Sequence, residues 1–175
     1  MREVAGAILD KIYTDRNEFH LGQIVCDALG NEFRFIKFNA GDGAATGTAG
    51  HLVVGLDTNN LAADTGGPYE RWEGTNDLNS STIKAILQDA FGFLQAALTD
   101  GAYGWVQISG LNQKVILTDN GITQGQQLMA HASTTGAVDS HDDTAKTVLG
   151  TALEADGDSG TATALDVGFA RIKIP

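Results

Sequence analysis

Ser81 and Lys84 have the spacing of a Ser-x-x-Lys motif, in which one helical turn brings a lysine amine beside a nucleophilic hydroxyl. Penicillin-recognising enzymes that use this pair also carry Lys-Thr-Gly and Ser-Asp-Asn motifs. Here Lys146 and Thr147 are followed by Val148, and no Ser-Asp-Asn occurs in the chain. We therefore interpret the pair as a helix cap followed by a solvent-facing lysine.

Three glycines, Gly41, Gly43 and Gly47, follow an aromatic segment, which is where a phosphate-binding loop would begin. Such a loop needs a helix N-terminus whose backbone N–H groups bind the anion. The chain instead continues through residues 48–50 into an apolar run, and no Gly-Lys-Ser/Thr follows. The pattern predicts a surface loop and not a nucleotide site.

Two acidic clusters could offer ligands to a cation. Asp156 and Asp158 alternate as in a calcium loop, but the twelfth position counted from Asp156 is Val167 and not a bidentate glutamate. The second cluster is His-Asp-Asp at residues 141–143. We interpret both clusters as exposed acidic turns.

The histidines show no His-x-x-x-His spacing that would favour zinc; they are His20, His51, His131 and His141. No nucleophile, base and orienting carboxylate can be assembled from spacing alone. A glycan hydrolase would need two carboxylates facing each other across a cleft, a distance that a sequence does not report. We predict that the chain is not an enzyme and that it binds no cofactor or metal.

Composition and charge narrow the class of protein. A chain of 175 residues with 42% apolar residues is long enough for one domain, and folding should bury roughly 70% of its unfolded surface. Its net charge of −11 repels phosphate backbones, which argues against nucleic-acid binding. One cysteine, Cys26, excludes an intramolecular disulfide, and we expect it to be a buried residue inside a strand.

The N-terminal residues 1–18 are predicted to form a short arm. Charged residues surround a very short apolar patch, so neither a signal peptide nor a membrane span fits. Val4, Ile8, Leu9 and Ile12 fall at near-helical spacing. Such an amphipathic arm could pack on the body of its own chain or on a neighbouring subunit.

Strand patterns follow along most of the chain. Residues 21–27 and 32–38 are predicted to form a hairpin, because Gly30 in the turn can adopt a positive φ. Residues 103–109 and 114–118 are predicted to be two paired strands. Further candidate strands are 51–56, 134–138, 147–153 and 169–174.

One helix is predicted near residues 80–98. Ile83, Leu87 and Ala90 lie at helical intervals, and Ser80 or Ser81 could cap the N-terminus. About eight to ten strands with one inserted helix indicate a mainly β protein, built as a small β-barrel or β-sandwich. We expect residues 19–175 to form this single domain.

Four segments, taken in order, resemble the head decoration or capsid cement proteins of bacteriophages. In the first segment, a strand, an acidic-glycine turn and an aromatic strand precede a Gly/Ala loop. In the second, a Gly-Trp-Val-Gln strand leads to a turn. A Thr-Thr-Gly-Ala-Val-Asp hairpin and a closing strand follow in the last two. The segments are HLGQIVCDALGNEFRFIKFNAG (20–41), AYGWVQISG (102–110), KVILTDNGITQGQQLMAHASTTGAVD (114–139) and VLGTALEADGDSGTATALDVGFARIKI (148–174). They cover about half of the chain and omit the arm and the predicted helix.

The resemblance implies a β-tulip-like virion structural protein, assembled in the host cytoplasm and bound to the outer surface of a tailed-phage capsid. Its partners would be the major capsid protein and itself, as a homotrimer, with no nucleic acid and no membrane. We expect the interface to use apolar residues of the arm and aromatic anchors: Val4, Ile8, Leu9, Ile12, Tyr69, Trp72 and Trp105.

A tail, baseplate or fibre component would use the same β-modules and is the alternative function. Such proteins more often carry a trimeric stalk or a coiled coil, and this chain has no heptad run.

Overall fold

A computed structural model gives the architecture of a mainly β protein, as the sequence predicts. The described part contains twelve strands and no helix, so it holds no helix that could cross a membrane. The structure describes residues 3–40, 46–55, 72–76, 90–117, 122–131, 135–140, 148–153, 155 and 164–169.

The strands of the described part form a two-stranded sheet and a ten-stranded sheet. The smaller sheet pairs β1 with β2, and the larger sheet contains the other ten strands. Their bounds are β1 Glu3–Val4, β2 Ala7–Ile8, β3 Ile24–Cys26, β4 Glu32–Phe38, β5 Leu52–Gly55, β6 Glu73–Thr75, β7 Ala90–Leu94, β8 Tyr103–Ile116, β9 Gln127–Ala130, β10 Val138–Ser140, β11 Gly150–Ala152 and β12 Ala164–Phe169.

Five strands of the large sheet form a closed circuit of pairings. β4 pairs with β6, β6 with β5, β5 with β7, β7 with β8, and β8 returns to β4. Of these five pairings, only that of β4 with β6 is parallel. Outside the circuit, β3 pairs with β4 and forms one edge of the sheet.

The C-terminal half of β8 belongs to a second group of strands. It pairs with β12, and the sheet continues through β11 and β9 to β10. An isolated parallel bridge between Leu117 and Val138 brings the start of β10 back to the residue after β8. The 14-residue strand β8 is therefore shared by both groups.

Strands of the circuit bury both faces, because successive side chains point to opposite sides of a sheet. On β4, Phe33 and Phe35 pack with Trp105 in one cluster, whereas Ile36 and Phe38 pack in another. Leu52 and Val54 of β5 join a third cluster with the second group of strands, lined by Val115, Leu117, Ile122, Leu128 and Val138. Each large side chain fully buried in this way stabilises the fold by about 1.5–3 kcal/mol.

The N-terminal arm is a β-hairpin and not a helix. Ala5 and Gly6 both have positive φ, the backbone of a tight hairpin turn between β1 and β2. Val4, Leu9 and Tyr13 are buried against the protein's own body, in the cluster of Phe33, Phe35 and Trp105. Tyr13 also exchanges backbone hydrogen bonds of 2.9 and 2.8 Å with Tyr103.

The helix predicted near residues 80–98 is wrong for its second half, where residues 90–94 are strand β7. Residues 80–89 lie outside the described part. Although these residues have helical spacing, hydrogen-bonded pairing with β5 and β8 makes them a strand. Gly92 shows how closely β7 and β8 approach each other. Its φ is +134°, and a Cβ there would overlap the carbonyl oxygen of Gln107 on β8.

Two other expectations need correction. Residues 103–109 and 114–118 are not paired strands, because residues 103–116 form the single strand β8. Cys26 lies in a strand as expected, but its side chain is exposed because β3 is an edge strand whose middle residue, Val25, faces the core. The strand predicted at residues 32–38 is confirmed with the same bounds.

His51 links the circuit to the turn before β10. The backbone N–H of Leu52 donates to the Gly136 carbonyl at 2.7 Å, which brings Gly136 against the imidazole. The Thr48 N–H donates to His51 Nδ1 at 3.3 Å, and Asn76 Nδ2 lies 2.8 Å from the same nitrogen. Since a backbone amide can only donate, Nδ1 accepts and the proton is on Nε2. Burial lowers the pKa of His51.

This arrangement makes stability depend on pH. The unfolded imidazole keeps its ordinary pKa of 6.5 and the folded one is lower, so the folded state binds fewer protons. The stabilisation is complete above pH 6.5 and is lost as the pH falls through the folded-state pKa of His51. Urea unfolding at about pH 7.5 and pH 5 should give a smaller free-energy difference for His51→Gln than for the native protein. His20→Gln, at an exposed histidine, is the control and should keep the native difference; equal behaviour of the two variants would contradict the assignment.

Candidate functional site

The long strand β8 changes its pairing partner at Gly110. Ser109 is opposite Glu32 of β4, whereas Gly110 is opposite Phe169 of β12. Gly110 has φ +96°, and a Cβ at this position would overlap the side-chain oxygen of Asn31. Only glycine combines this backbone with so close a neighbour.

Asn31, which is 3% exposed, joins the β3–β4 turn to β8 at this point. Its Oδ1 accepts from the Leu111 N–H at 2.7 Å, and its Nδ2 donates to Asp27 Oδ2 at 2.7 Å. Asp27 Oδ1 accepts the backbone N–H groups of Leu29 and Asn31, both at 2.9 Å. One buried amide thus fixes the turn and the neighbouring strand to each other. We call Asp27, Asn31, Gly110 and Leu111 the joint.

Two further side chains of β8, Gln107 and Ser109, form hydrogen bonds next to the joint. Gln107 Nε2 donates to the carbonyl oxygens of Ser109 at 3.1 Å and Leu111 at 2.6 Å. Ser109 Oγ donates to Glu32 Oε2 at 3.1 Å. These bonds span the irregular register between β4 and β8 at Glu32 and Phe33. The backbone around the joint is therefore held by side chains from both strands.

Exposed apolar side chains lie on the elements that meet at the joint. Leu29, in the turn, is 83% exposed, and Leu111, on β8, is 55% exposed. Ile24, on the adjoining edge strand, is 43% exposed. Because their backbone is already fixed, contacts made by these three residues cost little ordering of the main chain. We refer to these exposed residues of β3, the β3–β4 turn and β8 (Ile24, Leu29 and Leu111) together as the corner surface, and we take them as the candidate interaction site.

A stacked pair lies beside the corner surface. The Arg34 guanidinium is 4.3 Å from the centre of the Trp72 ring, and Arg34 is opposite Ile24 in the sheet. Burial lowers the pKa of Arg34, while the negative charge of Glu32 opposes that effect. Trp72 has the unusual φ of +113°, and its indole fills the space that a Cβ at Gly22 would occupy.

The residues predicted to form an interface occupy different environments. Val4, Leu9 and Trp105 are buried inside the protomer and cannot themselves contact a neighbour in this conformation. Ile8 is half-buried, Ile12 is 48% exposed, and the half-buried Trp72 packs on a different cluster. Tyr69 lies outside the described residues. The structure therefore brings Val4, Leu9 and Trp105 together as core and leaves Ile12 exposed on the arm.

Sequence reasoning missed the corner surface, although one signal was available. Leu29 is an apolar residue inside a predicted turn, Asp27-Ala-Leu-Gly-Asn, where polar residues are usual. Leu111 gave no such signal, because it follows a strand pattern directly. Asn31 gave none either, since its burial depends on the approach of β8, which is far away in sequence.

The cation candidates and the catalytic motif gain no structural support. No group of three or more metal-ligating side chains occurs within the described ranges. Asp156, Asp158, the cluster 141–143 and the pair Ser81 and Lys84 lie outside those ranges. Of the histidines, His131 approaches Asp139 at 3.9 Å, a separation typical of a weak surface contact.

Comparison with protein-family models, with curated proteins and with solved structures finds no match to this chain.

The joint makes a clear prediction for Asn31→Ala. The substitution leaves the Leu111 N–H without its buried acceptor and Asp27 without its amide donor, so we expect a loss of about 1–3 kcal/mol in the free energy of unfolding. Urea unfolding measures the loss, and hydrogen exchange should show faster exchange at the Leu111 amide. Asn17→Ala, at an exposed asparagine, is the control and should change stability by less than about 0.5 kcal/mol. Equal stability of the two variants would contradict the role of Asn31.

Proposed function

We propose that the protein is a virion structural protein that binds the outer surface of a tailed-phage capsid and stabilises it, as head decoration proteins do. The observation that carries the proposal is the corner surface, in which exposed apolar side chains stand on a backbone fixed by buried hydrogen bonds. A protein whose task is to bind another surface needs such a preformed contact site. The resemblance of four sequence segments to decoration proteins points to the same function.

The architecture of the described part supports a role as a rigid connector. Apolar clusters lie on both faces of the circuit strands, and the hairpin arm covers the outer face of β4 and β8. The closed circuit of five pairings favours a small β-barrel over an open sandwich. Rigid bodies of this kind bind with a small entropy cost, since little of the chain must be ordered on contact.

The charge of the chain fits an outer location. A net charge of −11 is unfavourable near packaged nucleic acid and favourable for solubility outside the shell. We further propose self-association as a homotrimer, with the major capsid protein as the partner. Within a trimer, one bound protomer raises the effective concentration of the other two at neighbouring sites. Individually weak contacts at the three corner surfaces would then combine to hold the trimer stably on the shell.

The copy number of the chain in purified virions tests the proposal. Quantitative mass spectrometry should give a ratio to the major capsid protein near one to one, as expected for decoration of the whole shell. A ratio far below that would move the protein to the tail, baseplate or fibre. Absence from the particle would overturn the virion assignment and reopen the case for an enzyme.

Binding to particles that lack the protein tests the corner surface itself. Leu29→Ser removes the most exposed side chain of the corner surface, so we expect about tenfold weaker binding in co-sedimentation. Val148→Ser, at an apolar residue that is 39% exposed elsewhere in the chain, is the control and should bind normally. Loss of binding by Ile12→Ser alone would instead place the contact on the arm.

A further inference from the structure

The edge strand β3 directs part of its backbone away from the sheet. In an antiparallel pair, residues alternate between those that exchange hydrogen bonds with the partner and those that point outward. The Asp27 N–H donates to the Asn31 carbonyl at 3.0 Å, and the Phe35 N–H donates to the Gln23 carbonyl at 2.9 Å. With this register, Gln23, Val25 and Asp27 direct their backbone groups to β4.

The remaining positions, Ile24 and Cys26, therefore direct their N–H and C=O groups outward. No strand of the described part pairs on that side of β3, which is the last strand of the large sheet. Both side chains are exposed, and they lie on the face of the sheet opposite to the buried Val25. Two donors and two acceptors thus form a short open ladder next to the corner surface.

Within its three residues, β3 lacks the features that usually prevent strand addition. Proteins protect exposed edges with proline, lysine, a bulge or a covering segment. The sequence of β3 is Ile-Val-Cys, with regular pairing to β4 through all three residues. An unprotected apolar edge of this kind is suited to accept an extended segment of another chain by main-chain hydrogen bonding.

The charge of the residues around β3 indicates which kind of segment would bind to this edge. Residues 11–32 carry four carboxylates against two cations, Lys11 and Arg16, and Lys11 is paired with Glu18 at 2.9 Å. An excess of negative charge remains in this segment, and the whole chain has a net charge of −11. A second copy would bring the same negative charge to the edge, which opposes association. The nearest cation on β4, Arg34, is 9% exposed and stacked on Trp72, so it offers little positive charge at the edge. The complementary partner is a basic segment. The four acidic residues are Asp15, Glu18, Asp27 and Glu32.

We propose that β3 is the acceptor edge for an extended, lysine- or arginine-bearing segment of the shell protein, which adds to the sheet as a further strand. The proposal rests on the capsid-binding function proposed above and assigns its main-chain contact. The added strand forms up to four hydrogen bonds with the backbone of Ile24 and Cys26. Its end comes close to the turn that carries Leu29, so apolar contact at the corner surface continues the strand pairing.

A backbone substitution tests the ladder directly. Cys26→Pro removes the outward N–H without removing a bond to β4, because the N–H of residue 26 does not face that strand. Cys26→Ser keeps the N–H and is the matched control. In co-sedimentation with particles that lack the protein, we expect Cys26→Pro to bind about tenfold more weakly and Cys26→Ser to bind normally. Normal binding by a folded Cys26→Pro overturns the acceptor edge and leaves the decoration function intact.

If Cys26→Pro does not fold, chemical labelling of Cys26 in the native protein tests the same edge. Cys26 is the one cysteine of the chain and is exposed, so a maleimide labels a single known site on β3. We expect labelling in the free protein and protection on the particle. Equal labelling in both states overturns the proposal. Failure of the native protein to bind particles at all counts against the function and not only against the edge.

The salt dependence of binding and the oligomeric state of the protein show what kind of segment pairs with β3. Binding to a basic segment should weaken as the salt concentration rises, because the attraction between opposite charges is screened. Binding that is insensitive to salt overturns the basic character of the segment. A native protein that is oligomeric in solution, with a Cys26→Pro variant that is monomeric, would show that β3 pairs with a second copy and would overturn the shell segment as its occupant.

Discussion

The change of partner at Gly110 is the constraint on which the rest of the fold depends. One continuous strand must complete a circuit with β4 and β7 in its first half and join the second group of strands through β12 in its second half. The positive φ of Gly110 permits this change, and the amide of Asn31 fills the space that a side chain would need. The exposed leucines of the corner surface owe their fixed positions to the same contact.

Burial on both sides of the circuit strands lets the fold do without covalent cross-links. With a single cysteine, the chain cannot form an intramolecular disulfide, so packing must supply the stability. The hairpin arm contributes Val4, Leu9 and Tyr13 to the cluster around Trp105 and thereby covers a sheet face that would otherwise be open. The arm is therefore a structural part of the body.

The sequence predicted elements whose signal is local. Residues 32–38 are rich in aromatic residues that partly alternate with charged ones, and a Gly-rich sequence follows them, so their strand could be placed with correct bounds. The β8 strand could not, because Gly110 looks like a strand end unless the later approach of Asn31 and β12 is known. For residues 90–94, helical spacing was misleading because cross-strand pairing decides the conformation. Side-chain exposure was the least predictable property. Trp105 was expected to be an exposed interface residue but is buried, whereas the apolar Leu29 is 83% exposed.

Hydrogen exchange along β8, measured by NMR under native conditions, tests most directly whether the joint couples the two groups of strands. Strongly coupled groups unfold together, so amides on the two sides of Gly110 should give opening free energies that agree within about 0.5 kcal/mol. If the amides of residues 111–116 instead opened at several kcal/mol less than those of residues 103–109, the two groups of strands would be independent units. The contact between Gly110 and Asn31 would then be a local detail, and the coupling of the two groups of strands into a single rigid body would be contradicted.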